Sequence, residues 1–387
     1  MSVVETSIEP LPRRAARIGE VAAAPAADEV DRLARFPTEA VEAMRADAML
    51  GALIPESLGG GGATVPELAA ATSALARYCA STAMVFAMHQ IQVACLVRHG
   101  HATFLREYLA GVAHDQLLLA SATTEAGVGG DVRSSVCSVT HRAGGFQLQK
   151  QAPVISYGAH ADAVLATARR TPDSPANDQV LVLCAPPSLR LEATSGWNTL
   201  GFRGTCSGGF MLTAEGPDDC ILPDPYADIS SRTMLPISHV LWASVWLGIA
   251  TAAVERARHY VRAQARGKPG LTPPSAMHLA ELMTIFQQMA DVVGGATERY
   301  HQHADDQRVL CSMGFALSMN SLKVSTSALV VDIVSRALAI CGMAGYSETS
   351  AYSMGRLLRD AHGAALMVNN DRILANNAQM LLVSKEL

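Results

Sequence analysis

The chain has 387 residues, 49% hydrophobic and 17% charged, and its 30 Lys and Arg against 35 Asp and Glu leave a net charge of −5 at neutral pH. That length holds roughly two to three domains and a core large enough to enclose a cofactor. The charge balance excludes the basic field that grips nucleic acid or anionic membranes, and the apolar content excludes a disordered chain. Partners are therefore expected among small molecules and other proteins. The Ala-rich texture points to helices buried on several faces, some of them at subunit interfaces.

In chain order, residues 1–27, rich in Ala, Pro and Arg, read as a poorly ordered lead-in. Residues 1–20, MSVVETSIEPLPRRAARIGE, carry acids and prolines and no apolar core segment, so no signal peptide is expected and the location expected is cytoplasmic. Residues 28–118 are predicted as an α-helical domain. Apolar residues recur at three- and four-residue spacing over 30–36 and 38–46, Pro55 and the glycines at 59–62 interrupt, and the pattern resumes over 65–78. Residues 119–229 change to short β-branched runs at 135–140, 146–149, 153–157, 163–167, 179–184 and 209–213, punctuated by turn residues: a middle β domain. Residues 230–387 return to long helical periods at 241–265, 275–305, 309–341 and 351–361, with a last one through the C-terminal end; Pro269, Pro273 and Pro274 part the first two. The fold class expected is mainly α with a central β domain. The most apolar stretches, 240–253 and 329–344, are interrupted by polar residues or Gly, so no transmembrane helix is expected. The eight cysteines show no CxxC and no Cys/His ligand spacing, which suggests small buried thiols and no metal site.

Particular residues stand at the joints of this α–β–α order. They are FP at 36–37, LIPESLGG at 53–60, CASTAM at 79–84 leading to His89, TEAGVGGD at 124–131, LGFRGT at 200–205, and CGMAGY at 341–346 with RLLRD at 356–360. In this order and spacing they resemble the acyl-CoA dehydrogenase superfamily over essentially the whole chain after about residue 36. The resemblance implies an FAD enzyme in which a β barrel-like domain and a C-terminal four-helix bundle clamp the flavin, assembled as a homodimer or homotetramer. Thr124 would hydrogen-bond the pyrimidine side of the flavin and Ser156 would contact the ring near N5. The backbone at Gly127, Gly129 and Gly130 would approach substrate or flavin phosphate closely. Gly342 and Gly345 would let a partner subunit's pyrophosphate approach a helix start, and Arg359 of the RLLRD run joins the cofactor-binding set.

The chain departs from the family where the chemistry is done. Family members use a carboxylate to take the α-proton of a thioester while hydride leaves the β-carbon for flavin N5. Counting from Arg359-Asp360 puts that base at Val368, which cannot accept a proton, and the alternative position, counted back from Gly248, falls on Ser238 beside His239. Only a shift along the chain would bring Asp371 near. His239 becomes the candidate base, or the donor to an oxygen intermediate, because imidazole titrates near neutrality; Ser238 would hold a substrate group or water. His89 is a further candidate against a buried structural role, and His362 is expected at the surface or in packing.

In CoA-using members an Arg commonly stands where this chain has His239. Its loss, that of the FG after residues 262–267 and that of a Gln at Ala339 put the adenine contacts in doubt. Two enzymatic readings follow. One is α,β-dehydrogenation of an unusual acyl thioester on CoA or on an acyl carrier protein, whose pantetheine arm needs no adenine site. The other is a reduced-flavin monooxygenase acting on an aromatic ring or an amine, fed by a separate flavin reductase. That branch also lacks the carboxylate but generally carries a histidine where the count puts Met367. A non-catalytic relic fold is opposed by Thr124, Ser156 and Arg359-Asp360. Trp242 and Trp246 lie at helical spacing as core packing and could also wall a pocket for a bulky apolar or aromatic group. Met277, Met283 and Met289 are expected in the core or at a subunit interface.

Overall fold

The computed structural model describes residues 9–128, 131–267 and 269–384. The helical domain starts at Leu11, ahead of the expected boundary, with α1 (Leu11–Ile18), a π-helical turn at Gly19–Ala23 and α2 (Ala24–Leu33). Pro10 precedes α1 and Pro12 lies in its first turn, a pre-organised start. Leu11, Ala15 and Ile18 form a buried stripe that the Ala- and Arg-rich composition concealed. Next come α3 (Thr38–Ala46), α4 (Val65–Ala76), α5 (Ala80–His99) and α6 (Thr103–Asp115). α4 opens on a reciprocal capping box between Thr64 and Glu67. α5 is the centre of the domain: nearly every side chain from Ala80 to Leu96 is buried, His89, Gln90 and Gln92 included.

The middle region forms two sheets. β1 (Leu119–Ala122) runs parallel to β4 (Ala163–Arg169), which pairs antiparallel with β5 (Gln179–Cys184). The second sheet is antiparallel, with β2 (Thr140–Arg142), β3 (Gly145–Ala152), β7 (Gly209–Gly216) and β6 (Arg190–Ser195) in that order. Strict alternation in β3 sends Phe146, Leu148, Lys150 and Ala152 inward and the glutamines between them outward. The expected runs at 135–140 and 153–157 are mostly not strands: the first reaches β2 only at Thr140, and the second is a turn in which Tyr157 takes a positive φ of 44°.

In the C-terminal region, α7 (Tyr226–Ile229), a π-helical turn at Ser230–Met234 and α8 (Leu235–Gly267) make one continuous helix of 42 residues. It packs against α4, α5, α9 (Ser275–His303) and α11 (Met313–Cys341). The expected single helix over 309–341 is divided, with α10 (Gln307–Leu310) ahead of α11, because the Ser312 hydroxyl accepts from the Phe315 N–H and starts a new helix there. α12 (Met343–Tyr346), α13 (Gly355–Gly363) and α14 (Asn370–Val383) complete the chain. Gly248 lets α8 meet α4: a Cβ there would stand 2.4 Å from both the Ser73 oxygen and the Ala76 methyl.

Three helices, Ala80–His99, Tyr226–Gly267 and Met313–Cys341, are long and apolar enough to cross a membrane by length and composition. In the first two, 89% of the apolar window is buried inside the fold, so their apolarity builds the core. One expectation is corrected: Met277 and Met283 are exposed, and only Met289 of that group is buried. All eight cysteines are free, and no cluster suited to a metal exists among the described residues.

Candidate active site

The π-helical turn at Ser230–Met234 widens the helix where it passes the β domain, a distortion common at functional sites. Beside it, Leu235, Ser238, His239 and Trp242 line a cavity of about 120 Å³. Met88, Ile91 and Gln92 of α5 form the opposite wall, and Ser121, Thr123 and Val132 close the β-domain side. A more open groove of about 420 Å³, lined by Asp131, Arg133, Asn320 and Arg372 among others, adjoins it and shares Val132, Ser230, Leu235, His239 and Val368.

His239 lines both spaces. Its Nδ1 lies 3.0 Å from the Met319 carbonyl oxygen, so Nδ1 carries the proton and donates it there, leaving the lone pair on Nε2. Burial pushes the imidazole pKa down to about 4, against the pull of the Met319 carbonyl, and the nearby Lys323 charge lowers it further. At neutral pH the ring is an uncharged base. Ser238 also lines the cavity, but its hydroxyl donates to the Met234 carbonyl at 2.5 Å, so toward the cavity it offers only lone pairs.

Val368 sits at the cavity wall with a φ of 45°, as the residue count from Arg359-Asp360 implies. The buried Lys323 holds that turn, donating to the Val368 carbonyl at 2.9 Å and to Asn370 Oδ1 at 2.6 Å; burial lowers its pKa to about 8. Asp371 is exposed in the first turn of α14 and does not reach the cavity. Among the described residues no Asp or Glu lines this cavity.

The other candidates separate. His89 accepts from the Leu119 N–H at 3.0 Å through Nδ1 and donates from Nε2 to the Leu50 carbonyl at 2.8 Å. With both nitrogens engaged it is a clamp between α5, β1 and the 50–54 turn and keeps no nitrogen for a catalytic proton transfer. Arg359 pairs with Asp31 and, at 3.0 Å, with Glu348, tying α13 to α2. Gly345 is needed for packing, since a Cβ would come 2.8 Å from that of Cys341, while Gly342 takes a positive φ of 56° at an open surface. Gly129 and Gly130 lie outside the described residues. His362 is exposed, as expected. Trp242 walls the cavity, whereas Trp246 is core.

Thr124 and Ser156 come from adjacent segments: the Thr124 hydroxyl donates to the Val154 carbonyl at 3.1 Å, and Ser156 Oγ accepts from Ser207 Oγ at 2.9 Å. Glu125 is anchored beneath them by the buried Lys150 at 3.3 Å and by the Cys137 N–H at 2.5 Å. Gln92, Ser121 and Thr123 were missed from sequence. The signal for Gln92 was a carboxamide in an otherwise apolar buried helix.

Residues 9–116 match the family model for the acyl-CoA dehydrogenase N-terminal domain, and residues 230–377 match that for the acyl-CoA dehydrogenase C-terminal domain. The chain belongs to the acyl-CoA dehydrogenase family. Cyclohex-1-ene-1-carbonyl-CoA dehydrogenase of Syntrophus aciditrophicus is 24% identical over 356 residues, 90% of this chain and 83% of that protein. Dibenzothiophene monooxygenase of Mycolicibacterium goodii is 28% identical over 249 residues, 62% of this chain and 59% of that protein. Butyryl-CoA dehydrogenase of Megasphaera elsdenii shares the fold at a TM-score of 0.83 and 20% identity, covering 99% of this chain and 100% of that one.

As a member of this family the protein is a flavin-dependent oxidoreductase, and FAD is the family's cofactor. The donor set fits a flavin. Ser121 and Thr123 stand on the β-domain side of a cavity whose other walls include Met88, Ile91, Met234, Leu235 and Trp242, and Thr124 follows in sequence, bonded to Val154 two residues before Ser156, a combination of polar edge and apolar wall that suits a flavin ring.

Proposed function

We propose that this acyl-CoA dehydrogenase family member dehydrogenates the α,β bond of an acyl thioester, with His239 as the base. The observation that carries this reading is the His239 tautomer. Nε2 is the unprotonated ring nitrogen, the imidazole is neutral at pH 7, and His239 lines a cavity that no carboxylate lines among the described residues. Nε2 takes the α-proton, and the imidazolium that forms is held by its Nδ1–H bond to the Met319 carbonyl. Val368, held by Lys323, and the apolar walls exclude water from the reacting carbons. Thr124 and Ser156 would hold the flavin ring, which when bound supplies the two-electron acceptor for the β-hydrogen. The groove beside the cavity suits a pantetheine arm, on CoA or on a carrier protein. The exposed Met343, Tyr346, Leu366 and Leu382 support assembly as a homodimer or homotetramer.

The test is exchange of the substrate's α-hydrogen in D2O by flavin-loaded protein. His239→Ala should lose exchange by roughly 10²- to 10⁴-fold while its flavin content stays that of the wild type; undiminished exchange rejects the assignment. The similarity to dibenzothiophene monooxygenases and the carboxylate-free cavity favour the second reading, a monooxygenase supplied with reduced flavin by a reductase. That reading requires oxygen-dependent oxidation of an aromatic substrate when free reduced flavin is added.

A further inference from the structure

The chain carries a net charge of −5, yet arginines collect in one crevice of about 720 Å³ where its three regions meet. Five arginines line it against three carboxylates: Arg32 comes from α2, Arg203 from the β-domain segment before β7, Arg256 from α8, and Arg356 and Arg359 from α13. Asp31 and Glu348 neutralise Arg359, and Asp28 pairs with Arg356 at 3.1 Å. Arg256 has no such partner. Its one hydrogen bond among the described residues goes to the Ser353 carbonyl, and burial and then the Arg356 charge press its pKa down. Arg203 likewise donates only to the Asp31 and Thr199 carbonyls and to Asn198. Arg256 Nε and Nη2, with Nη2 of Arg203 and of Arg356, make no hydrogen bond among the described residues and are not sealed from solvent. A neighbouring hollow of about 450 Å³ shares Arg256 and continues the charge with His259, Arg262 and Arg266, and among the described residues no carboxylate lines it.

A half-buried guanidinium without a counter-ion costs free energy that an anionic ligand recovers, and guanidinium forks match the oxygens of a phosphate group. One carboxylate would bring two oxygens to four free nitrogens and fill little of the space, whereas a diphosphate brings several oxygens and more than one charge. We infer that this crevice binds a small molecule bearing a diphosphate, held by Arg203, Arg256 and Arg356. The site is separate from the chemistry. The crevice shares no lining residue with the cavity or the groove at His239, and Arg256 follows His239 on the same helix by 17 residues, about 25 Å at 1.5 Å per residue. A ligand held there joins α2, the β-domain segment and the C-terminal helices, and so stabilises the folded chain. The inference does not depend on which reaction the flavin site performs.

The experiment titrates FAD-loaded protein with inorganic pyrophosphate and with inorganic phosphate by calorimetry at physiological ionic strength; with flavin in place, the cofactor's own diphosphate is already housed. Wild type should bind pyrophosphate at least about tenfold more tightly than phosphate, and Arg256→Gln should weaken pyrophosphate by at least about tenfold while its flavin content stays that of the wild type. Arg32→Gln, an exposed position in the same crevice where a folding defect is not expected, should weaken it by about threefold. Arg336→Gln, an exposed arginine outside the crevice, should leave it unchanged. Absence of pyrophosphate binding in wild type, undiminished binding in both crevice variants, or an equal loss in Arg336→Gln would overturn the inference. Binding that appears only after the flavin is stripped would assign these arginines to the cofactor and overturn it as well.

Discussion

His239 and His89 are both fully buried and both depressed to a pKa of about 4 by burial, yet only one has a nitrogen to spare. His89 spends both on backbone groups, whereas His239 spends Nδ1 and keeps Nε2. Each folded-state pKa lies below the ordinary value of 6.5, so the folded protein binds fewer protons than the unfolded chain. The stability each histidine contributes is present above pH 6.5 and is lost as pH falls through about 4. Asp360, pushed up to about 6 by burial, acts in the opposite sense and offsets part of that loss. His89→Gln should therefore flatten the decline in urea-derived stability between pH 6.5 and 4 by roughly 3 kcal/mol; an unaltered acid slope would show that His89 is not held neutral. At this scale the sequence marked His239 through its place beside Ser238. It could not separate His239 from His89, because the partners of His89 at Leu50 and Leu119 come from distant segments. That Gln92 lines the cavity was hidden for the same reason.

At the scale of elements, the helix running from α7 through α8 sets the site. Its π-helical turn presents Ser230 and Met234 to the cavity, and its contact with α4 at Gly248 fixes how deeply Ser238, His239 and Trp242 reach. A methyl at 248 would collide with backbone on α4, so Gly248→Ala should lower stability by about 1–3 kcal/mol, measured as a shift in the urea midpoint at unchanged slope. No shift would mean that the two helices move apart freely. The long helices and β5 were legible because periodicity and β-branching repeat over many residues. α1 was not, since its stripe is three residues in an Ala- and Arg-rich stretch. The turn at 153–157 was mistaken for a strand because Val154, Ile155 and Tyr157 favour strands, while tertiary bonds from Tyr157 N–H to Thr205 O and from Ile155 N–H to Gly208 O bend it.

At the scale of the molecule, the α–β–α order was legible from composition shifts and from motifs at the joints, and it places the cavity where α5, α8, β1 and the turn before α14 converge. Motif spacing already placed a valine, Val368, where the family has a carboxylate; what it could not give is the hydrogen bond that leaves a neutral imidazole, His239, on the same cavity. The apolar helices explain why the chain looks greasy, since two of the three form the walls of the site itself. The third, α11, has 44% of its apolar window buried and carries Lys323, which holds the Val368 turn.

The most direct test of the account is anaerobic mixing of FAD-loaded protein with a short-chain acyl thioester, followed by absorbance of the flavin near its visible maximum. The account predicts that the wild-type flavin bleaches in a single turnover without added reductant, and that His239→Ala, with equal flavin bound, bleaches at least about a hundredfold more slowly. Bleaching at the same rate in both proteins would contradict His239 as the base. An oxidised flavin that persists in wild type with every thioester offered would contradict dehydrogenation.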